Sequence, residues 1–250
     1  MNLKIMSFNL RTDTKGDGIN YFPYRAERIR AVLQEERPDL IGFQEAREMA
    51  RDFLNEILGA EYVLLGCGRK EGYAGEGCSL AFRKDLFSLI NYETRFLSPT
   101  PTVPASRYED SDQSHCPRLY QHAELIGKGQ NAPFHFINTH LDHLGAHARM
   151  LEMEQILEDL SRLSGRVILV GDMNATPDSD CIRLAIDQGH LTDVTDSIPD
   201  TFHGFGQKDL RKIDYIFTNA PSPSCYPVSD GPENGVYVSD HYPICAWIDV

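Results

Sequence analysis

Two apolar runs, Phe134-His135-Phe136-Ile137 and Val167-Ile168-Leu169-Val170, each hand over to polar side chains at their C-terminal ends. The first runs into Asn138-Thr139-His140-Leu141-Asp142-His143, the second into Gly171-Asp172-Met173-Asn174. The placement recurs along the chain. Asn9 closes an N-terminal strand-like run, Glu45 closes a second, and Asp240 and His241 stand before the last, while Asp214 lies inside the run from Ile213 to Thr218. One strand-end Asn or Asp is usually a turn former. So many carboxylates, amides and imidazoles at one topological position are not explained by turns. Carboxylates and Asn carbonyls are hard oxygen ligands of the kind Mg2+ or Mn2+ takes, together with waters and a substrate phosphate. A histidine flanked by carboxylates is oriented and can carry charge at neutral pH. Cations, a metal and a water-activating carboxylate together suit in-line attack on phosphorus, so the reaction class is hydrolysis of a phosphate ester.

The elements that must position these groups follow from periodicity. Leu3 to Leu10 alternates as a strand, Tyr24 to Glu36 carries Ala26, Ile29, Val32 and Leu33 at helical spacing, and Pro38 separates that helix from the strand ending at Gln44-Glu45. A helix of roughly Gly145 to Leu163 likewise links the two runs described first, so a strand–helix–strand unit is expected twice. Further helices are expected over about Met49 to Leu58 and Ser179 to Gln188. Strands are expected at Tyr62 to Gly66, Ser79 to Phe82, Phe87 to Tyr92, Tyr120 to Ile126 and Ile244 to Ile248. A glycine-rich turn, Gly72 to Gly77, presents Glu76. From about Leu97 to Leu119 the chain is rich in Pro, Ser, Asp and Arg, which predicts a long irregular binding loop that governs substrate choice. A Pro/Ser-rich loop follows Thr218. No repeat, low-complexity tract or linker divides the chain, so 1–250 is read as a single domain.

Composition narrows the classes. A hydrophobic share of 41% in 250 residues, with a mean hydropathy of -0.37, is that of a globular protein. No apolar run reaches the ~18–20 residues that cross a bilayer, and no signal peptide is visible, so a cytoplasmic location is expected. With 24 Lys and Arg against 37 Asp and Glu, the net charge is -13, which argues against bulk duplex binding. Basic patches are expected only locally, at Arg25, Arg28 and Arg30 or at Lys208, Arg211 and Lys212. The six cysteines are scattered without a C-x-x-C pair, which argues against zinc-ribbon and thioredoxin chemistry, and reduced thiols are expected.

Ser7-Phe8-Asn9, Gln44-Glu45, Glu76 before Ser79-Leu80-Ala81-Phe82-Arg83, Asn138-Thr139-His140, Gly171-Asp172-Met173-Asn174, Ile213-Asp214-Tyr215 and Ser239-Asp240-His241 occur in one order. In these residues the chain resembles the endonuclease/exonuclease/phosphatase family, metal-dependent phosphohydrolases related to pancreatic-type deoxyribonuclease. The resemblance implies a four-layer α/β/β/α sandwich of two packed mixed β-sheets flanked by helices. It also implies roles. Glu45 would be the principal metal ligand, with Asn9 and Asp240 close to the metal or the phosphate. Asp172 would orient or deprotonate the attacking water, and Asn174 would hydrogen-bond the scissile phosphate. His241, paired with Asp214, and His140, paired with Glu76, would stabilise the pentacovalent phosphorane or assist the leaving oxygen.

Within that family the chain looks most like a bacterial branch of small stand-alone hydrolases, sharing Gly16-Asp17-Gly18-Ile19-Asn20, Thr139-His140-Leu141-Asp142-His143, Asn174-Ala175-Thr176-Pro177 and Thr201-Phe202-His203-Gly204-Phe205. That likeness puts Asp142, His143 and His203 in or near the pocket, and Arg118 where it would clamp a phosphate. The expected activity is Mg2+- or Mn2+-dependent phosphoesterase action on a small phosphorylated molecule, with no membrane anchor and no obligate protein partner. The alternatives are a nuclease for short or single-stranded nucleic acid, with Tyr108, Tyr120 or Phe205 stacking bases, and a binding module whose site has decayed. The intact set of Glu45, Asp172, Asn174, Asp240 and His241 speaks against the last.

Overall fold

In the first strand, β1 (Asn2–Asn9), alternate residues face different layers: Leu3 and Ile5 join a core between two sheets, while Met6 and Phe8 pack under helices on the other side. The chain then makes a 3-10 turn, Lys15–Asn20, and crosses through α1 (Phe22–Glu36) to β2 (Leu40–Ala46), which pairs parallel to β1 with Asn9 opposite Gln44. Pro23 opens α1 and Arg37, in a left-handed conformation, closes it. The unit recurs in the second half. There β7 (Pro133–His140) crosses through α3 (Ala146–Leu160) to the parallel β8 (Arg166–Asp172), with His140 opposite Asp172. A computed structural model describes residues 1–222, 224–228 and 231–250.

Each parallel pair is the middle of a six-stranded mixed sheet. Around β1 and β2 lie β3 (Tyr62–Gly68), β4 (Gly77–Arg83), β11 (Ser224–Pro227) and β12 (Ile244–Asp249), in the order β11-β12-β1-β2-β4-β3. Around β7 and β8 lie β5 (Phe87–Phe96), β6 (Leu119–Gly127), β9 (Thr192–Asp193) and β10 (Asp214–Thr218), in the order β5-β6-β7-β8-β10-β9. α1 and α2 (Glu48–Leu58) cover the first sheet; α3 and α4 (Asp180–Asp187) cover the second. The four-layer sandwich is therefore the observed fold. No helix among the described residues is long and apolar enough to cross a membrane.

The space between the sheets changes character along the strands. At one end it is apolar, filled by Ile5, Leu40, Phe82, Phe136, Ile168 and Ile216. Further up it becomes a tier of buried amides and hydroxyls. Gln44 donates to Asn138 Oδ1 (2.7 Å) and Ser7 Oγ (3.2 Å), and Asn138 donates across the gap to the Phe43 and Ser79 carbonyls, both at 2.8 Å. Gly42 lets the sheets approach here, since a Cβ on it would lie 2.3 Å from Val170 Cγ2. Above the tier, the same inward-facing rows end in Asn9, His140 and Asp172.

Residues 97–118 form no helix or strand, as expected, and hydrogen bonds fasten them to the body of the fold. Leu97 N–H donates to the Arg118 carbonyl (2.8 Å), Tyr108 hydroxyl reaches Gln155 (2.9 Å), and Asp112 accepts from the Ala148 (2.8 Å) and His147 (3.2 Å) amides at the start of α3. Burial removes one residue from each expected basic patch, Arg25 and Lys212. Arg25 is fully buried and donates to four carbonyls, those of Asn20, Leu10, Val238 and Arg11. Lys212 is buried against Asp193 (2.6 Å), while Arg30 pairs with Glu27 and Glu56. The Pro/Ser-rich loop after Thr218 leads into β11, and its Pro223 lies outside the described residues. The six cysteines are free thiols.

Candidate active site

The C-terminal ends of both parallel pairs open on one edge of the sandwich, at a cleft of about 420 Å³. From the first sheet come Asn9 and Glu45. A bulge in β2 between Phe43 and Ala46 throws Glu45 into a left-handed conformation (φ 60°), which turns its carboxylate into the cleft instead of into the helix layer. There Glu45 accepts from Asn9 Nδ2 (3.2 Å) and Thr12 N–H (2.8 Å). From the second sheet come His140 and Asp172. The buried Asp172 accepts from Asn9 Nδ2 (2.9 Å) through one oxygen and from the Asn174 amide (2.9 Å) through the other. Asn9 thus brackets carboxylates of both sheets with its NH2, while its oxygen accepts from Arg11 N–H at 2.9 Å. Its NH2 holds the two carboxylates together at the seam between the sheets.

The charges follow from burial and neighbours. Asp172 is opposed directly by Asp214 across the β8–β10 ladder. Burial first, and that opposed carboxylate second, push Asp172 up to about 7. His241 stands 2.8 Å from Asp214 through Nδ1 and 3.8 Å from Asp172 through Nε2. Burial opposes its charging, but Asp214, with Asp240 and Asp172, prevails and raises it to about 10, so it is an imidazolium at neutral pH. His140 behaves oppositely: burial, and then Arg118 and Arg69, hold it well below the usual range. It is neutral, and its Nε2 faces the Asn174 amide nitrogen at 2.9 Å and Asp172 at 3.5 Å. For Glu45, burial is outweighed by His241, the Thr12 amide and Arg11, and its carboxyl is held down.

Most residues expected at the site meet here, and some expected pairings do not. His241 pairs with Asp214 as expected. Glu76 does not pair with His140; its carboxylate takes Arg69 Nη2 at 2.8 Å. The reason is the hairpin between β3 and β4, where Arg69 N–H donates to the Glu76 carbonyl and sets the two side by side. Burial and Glu45 raise Glu76. Asp240 lies 3.7 Å from Arg11 and 4.0 Å from His241. Arg118 and His143 line the cleft. Asp142 lies behind it, fully buried, accepting from the Ser114, Leu144 and Gly145 amides. His203 is buried between the Tyr237 and Tyr242 rings, with centroids at 5.2 and 4.3 Å, outside the cleft lining. Arg11, Arg69, Phe202 and Arg211 line the cleft without having been singled out as site residues. For Arg69 a signal existed, since it stands just before the glycine-rich turn that presents Glu76. Arg11 had none; it is aimed by Asp17 of the Gly16–Asn20 loop through two 3.0 Å bonds.

The model of the Endonuclease/Exonuclease/phosphatase family matches residues 6–241. The chain belongs to that family. Solved structures agree over the full length. An endonuclease/exonuclease/phosphatase from Bacteroides vulgatus is 27% identical with a TM-score of 0.92, covering 100% of this chain and 99% of the other. A conserved protein of unknown function from Enterococcus faecalis is 27% identical with a TM-score of 0.89, covering 99% of each chain. A mannosyl-6-phosphatase of Bacteroides thetaiotaomicron, 23% identical, shares the fold with a TM-score of 0.85, over 99% of this chain and 100% of that one. No curated protein matches in sequence. The family's members hydrolyse phosphate esters.

The groups in the cleft fit the divalent cation on which the family generally depends. Ligand atoms of Glu45, His140 and Asp172 lie within 4.8 Å of one another, and His140 is neutral, as a ligand must be. Beside Glu45, the buried Thr12 hydroxyl has no protein partner. Oxygen donors with an excess of negative charge are the set that hard cations take.

Proposed function

We propose that this protein is a Mg2+- or Mn2+-dependent phosphoesterase that hydrolyses a small phosphorylated molecule by in-line attack of water, in the cytoplasm and without a membrane anchor or obligate protein partner. The observation that carries the reading is the setting of Asp172. It is a buried carboxylate clamped by Asn9 and the Asn174 amide, beside Glu45 and facing an imidazolium that Asp214 holds. With its proton affinity raised to about 7, Asp172 is matched to taking a proton from water near neutral pH. His241, which Asp214 holds as an imidazolium, is assigned instead to facing the added negative charge as the phosphorane forms. Neutral His140 accepts from Asn174 Nδ2 through Nε2 and so holds that side chain in the site. Glu45, with Asp240 and Asn9 close by, would hold the cation, which would supply Lewis-acid polarisation of the phosphoryl oxygens.

The cleft volume suits one small ligand, and the Bacteroides mannosyl-6-phosphatase makes sugar phosphates the first candidates. The nuclease alternative is weakened by the placement of the rings expected to stack bases. Tyr120 is buried with its hydroxyl on Asp159, Tyr108 is bonded to Gln155, and Phe205 lies against Tyr237. Its support is Phe202, which lines the cleft 5.0 Å from the His241 ring with Arg211 over its face. A screen of phosphomonoesters, nucleotides, oligonucleotides and inositol phosphates with Mg2+ and Mn2+ separates the readings. Turnover of small monoesters that EDTA abolishes is expected. Preference for oligonucleotides would favour the nuclease, activity indifferent to EDTA would refute the metal assignment, and no turnover anywhere would mean a decayed site.

A further inference from the structure

At the β6 end of the cleft, Arg118 is a buried cation with unused donors. It is only 2% exposed, yet it lines the cleft. Its Nε and Nη1 are buried and find no acceptor among the described residues. Only Nη2 is engaged, 3.0 Å from His143 Nδ1. The nearest carboxylate, Asp142, is 3.7 Å away, and its oxygens already accept from the Ser114 amide and hydroxyl, Leu144 N–H and Gly145 N–H. The second carboxyl beneath, Glu152 of α3, spends one oxygen on the Asp142 amide (2.8 Å), and burial keeps its proton on up to about 8. Leaving guanidinium N–H groups buried and unpaired costs stability, and their planar fork matches a carboxylate or phosphate.

Sheet order sets the Arg118 backbone on the far side of His140 from Asp172. Arg118 directly precedes β6, whereas Asp172 ends β8, two strands away. At about 4.8 Å per strand the two positions are roughly 10 Å apart. The reacting centre has its own cations, His241 and Arg11, and Arg69 beside Arg118 is committed to Glu76. We infer that Arg118 forms a second anion subsite, so that the preferred substrate carries, besides the phosphate to be cleaved, a second anionic group about a six-carbon sugar away. The inference rests on the phosphoesterase reading for the identity of the cleaved group.

Binding tests it independently of turnover. Calorimetry on EDTA-treated full-length protein would compare a hexose 6-phosphate, a hexose 1,6-bisphosphate and a six-carbon sugar acid 6-phosphate. At least one doubly anionic ligand should bind 10-fold or more tightly than the monophosphate; the two arms show whether phosphate or carboxylate is taken. Arg118→Met should bring that preference to within about twofold. If Arg118→Met does not fold, Arg118→Lys, which keeps the charge but loses the fork, should lower it severalfold. Equal affinity for all three ligands, or a preference that survives in the folded variants, would overturn the inference. Absence of turnover in the substrate screen would sink the phosphoesterase reading and leave this readout standing.

Discussion

Asp214→Asn removes the carboxylate bonded to His241 and should reshape the pH dependence of turnover. At about 1.4 kcal/mol per pH unit, the rise of His241 from 6.5 to about 10 corresponds to about 5 kcal/mol favouring the imidazolium. Asp214 is the principal source of that rise, since burial works against it. If His241 returns to about 6.5, only about 3% of it is charged at pH 8, so turnover there should fall about 30-fold; at pH 6 the loss should stay within about twofold. Asp172 moves as well. Losing the opposed carboxylate lowers it from about 7, so the rising limb of the profile shifts to lower pH. The whole bell should therefore move in the acid direction. Turnover of p-nitrophenyl phosphate with Mn2+ from pH 5.5 to 9, together with an NMR titration of His241, measures both limbs. Superimposable profiles for variant and wild type, or a His241 still titrating near 10 in the variant, would refute the reasoning.

Other perturbations read different links. Asp172 has a folded pKa above its ordinary 3.8, so the folded state is favoured below about pH 4 and loses that advantage as pH rises through about 7. Asp172→Asn should accordingly stabilise the metal-free protein at pH 8 by about 1–2 kcal/mol while lowering turnover at least 100-fold; a lower melting temperature in EDTA would contradict this. Gly42→Ala places a methyl against Val170 and Asn138 and should cost about 1–3 kcal/mol, read as a lower urea midpoint, with an unchanged midpoint counting against the close approach of the sheets.

Much of the fold and site was legible because periodicity and strand-end chemistry are local signals. The helix expected from roughly Gly145 to Leu163 is Ala146–Leu160, and the two strand–helix–strand units are the centres of the two sheets. What local signals could not carry was contact between distant segments. Asp112 meets the start of α3 from a loop some 35 residues away in sequence, so the irregularity of that loop was legible and its anchoring was not. Arg25 sits in a charged run and read as surface, yet four carbonyls from three other segments enclose it. Glu76 lost its expected partner to Arg69 because the register of a hairpin, and not the residue types, decides which side chains are neighbours. Asp142 and His203 were legible as belonging near the pocket; that both lie behind its lining depends on side-chain direction.

The tier of Gln44, Asn138, Ser7 and Ser79 between the sheets bears on how the protein fails. Glu45 and Asn9 belong to one sheet, while His140, Asp172 and Asp214 belong to the other, so the reacting geometry spans a seam. Amides buried between two slabs work as a spacer, fixing how far apart the slabs stand and which rows face each other. A displacement of about 1 Å is enough to cost roughly 100-fold in rate, far less movement than it takes to melt either sheet. Inactivation by heat or denaturant should therefore run ahead of the loss of secondary structure.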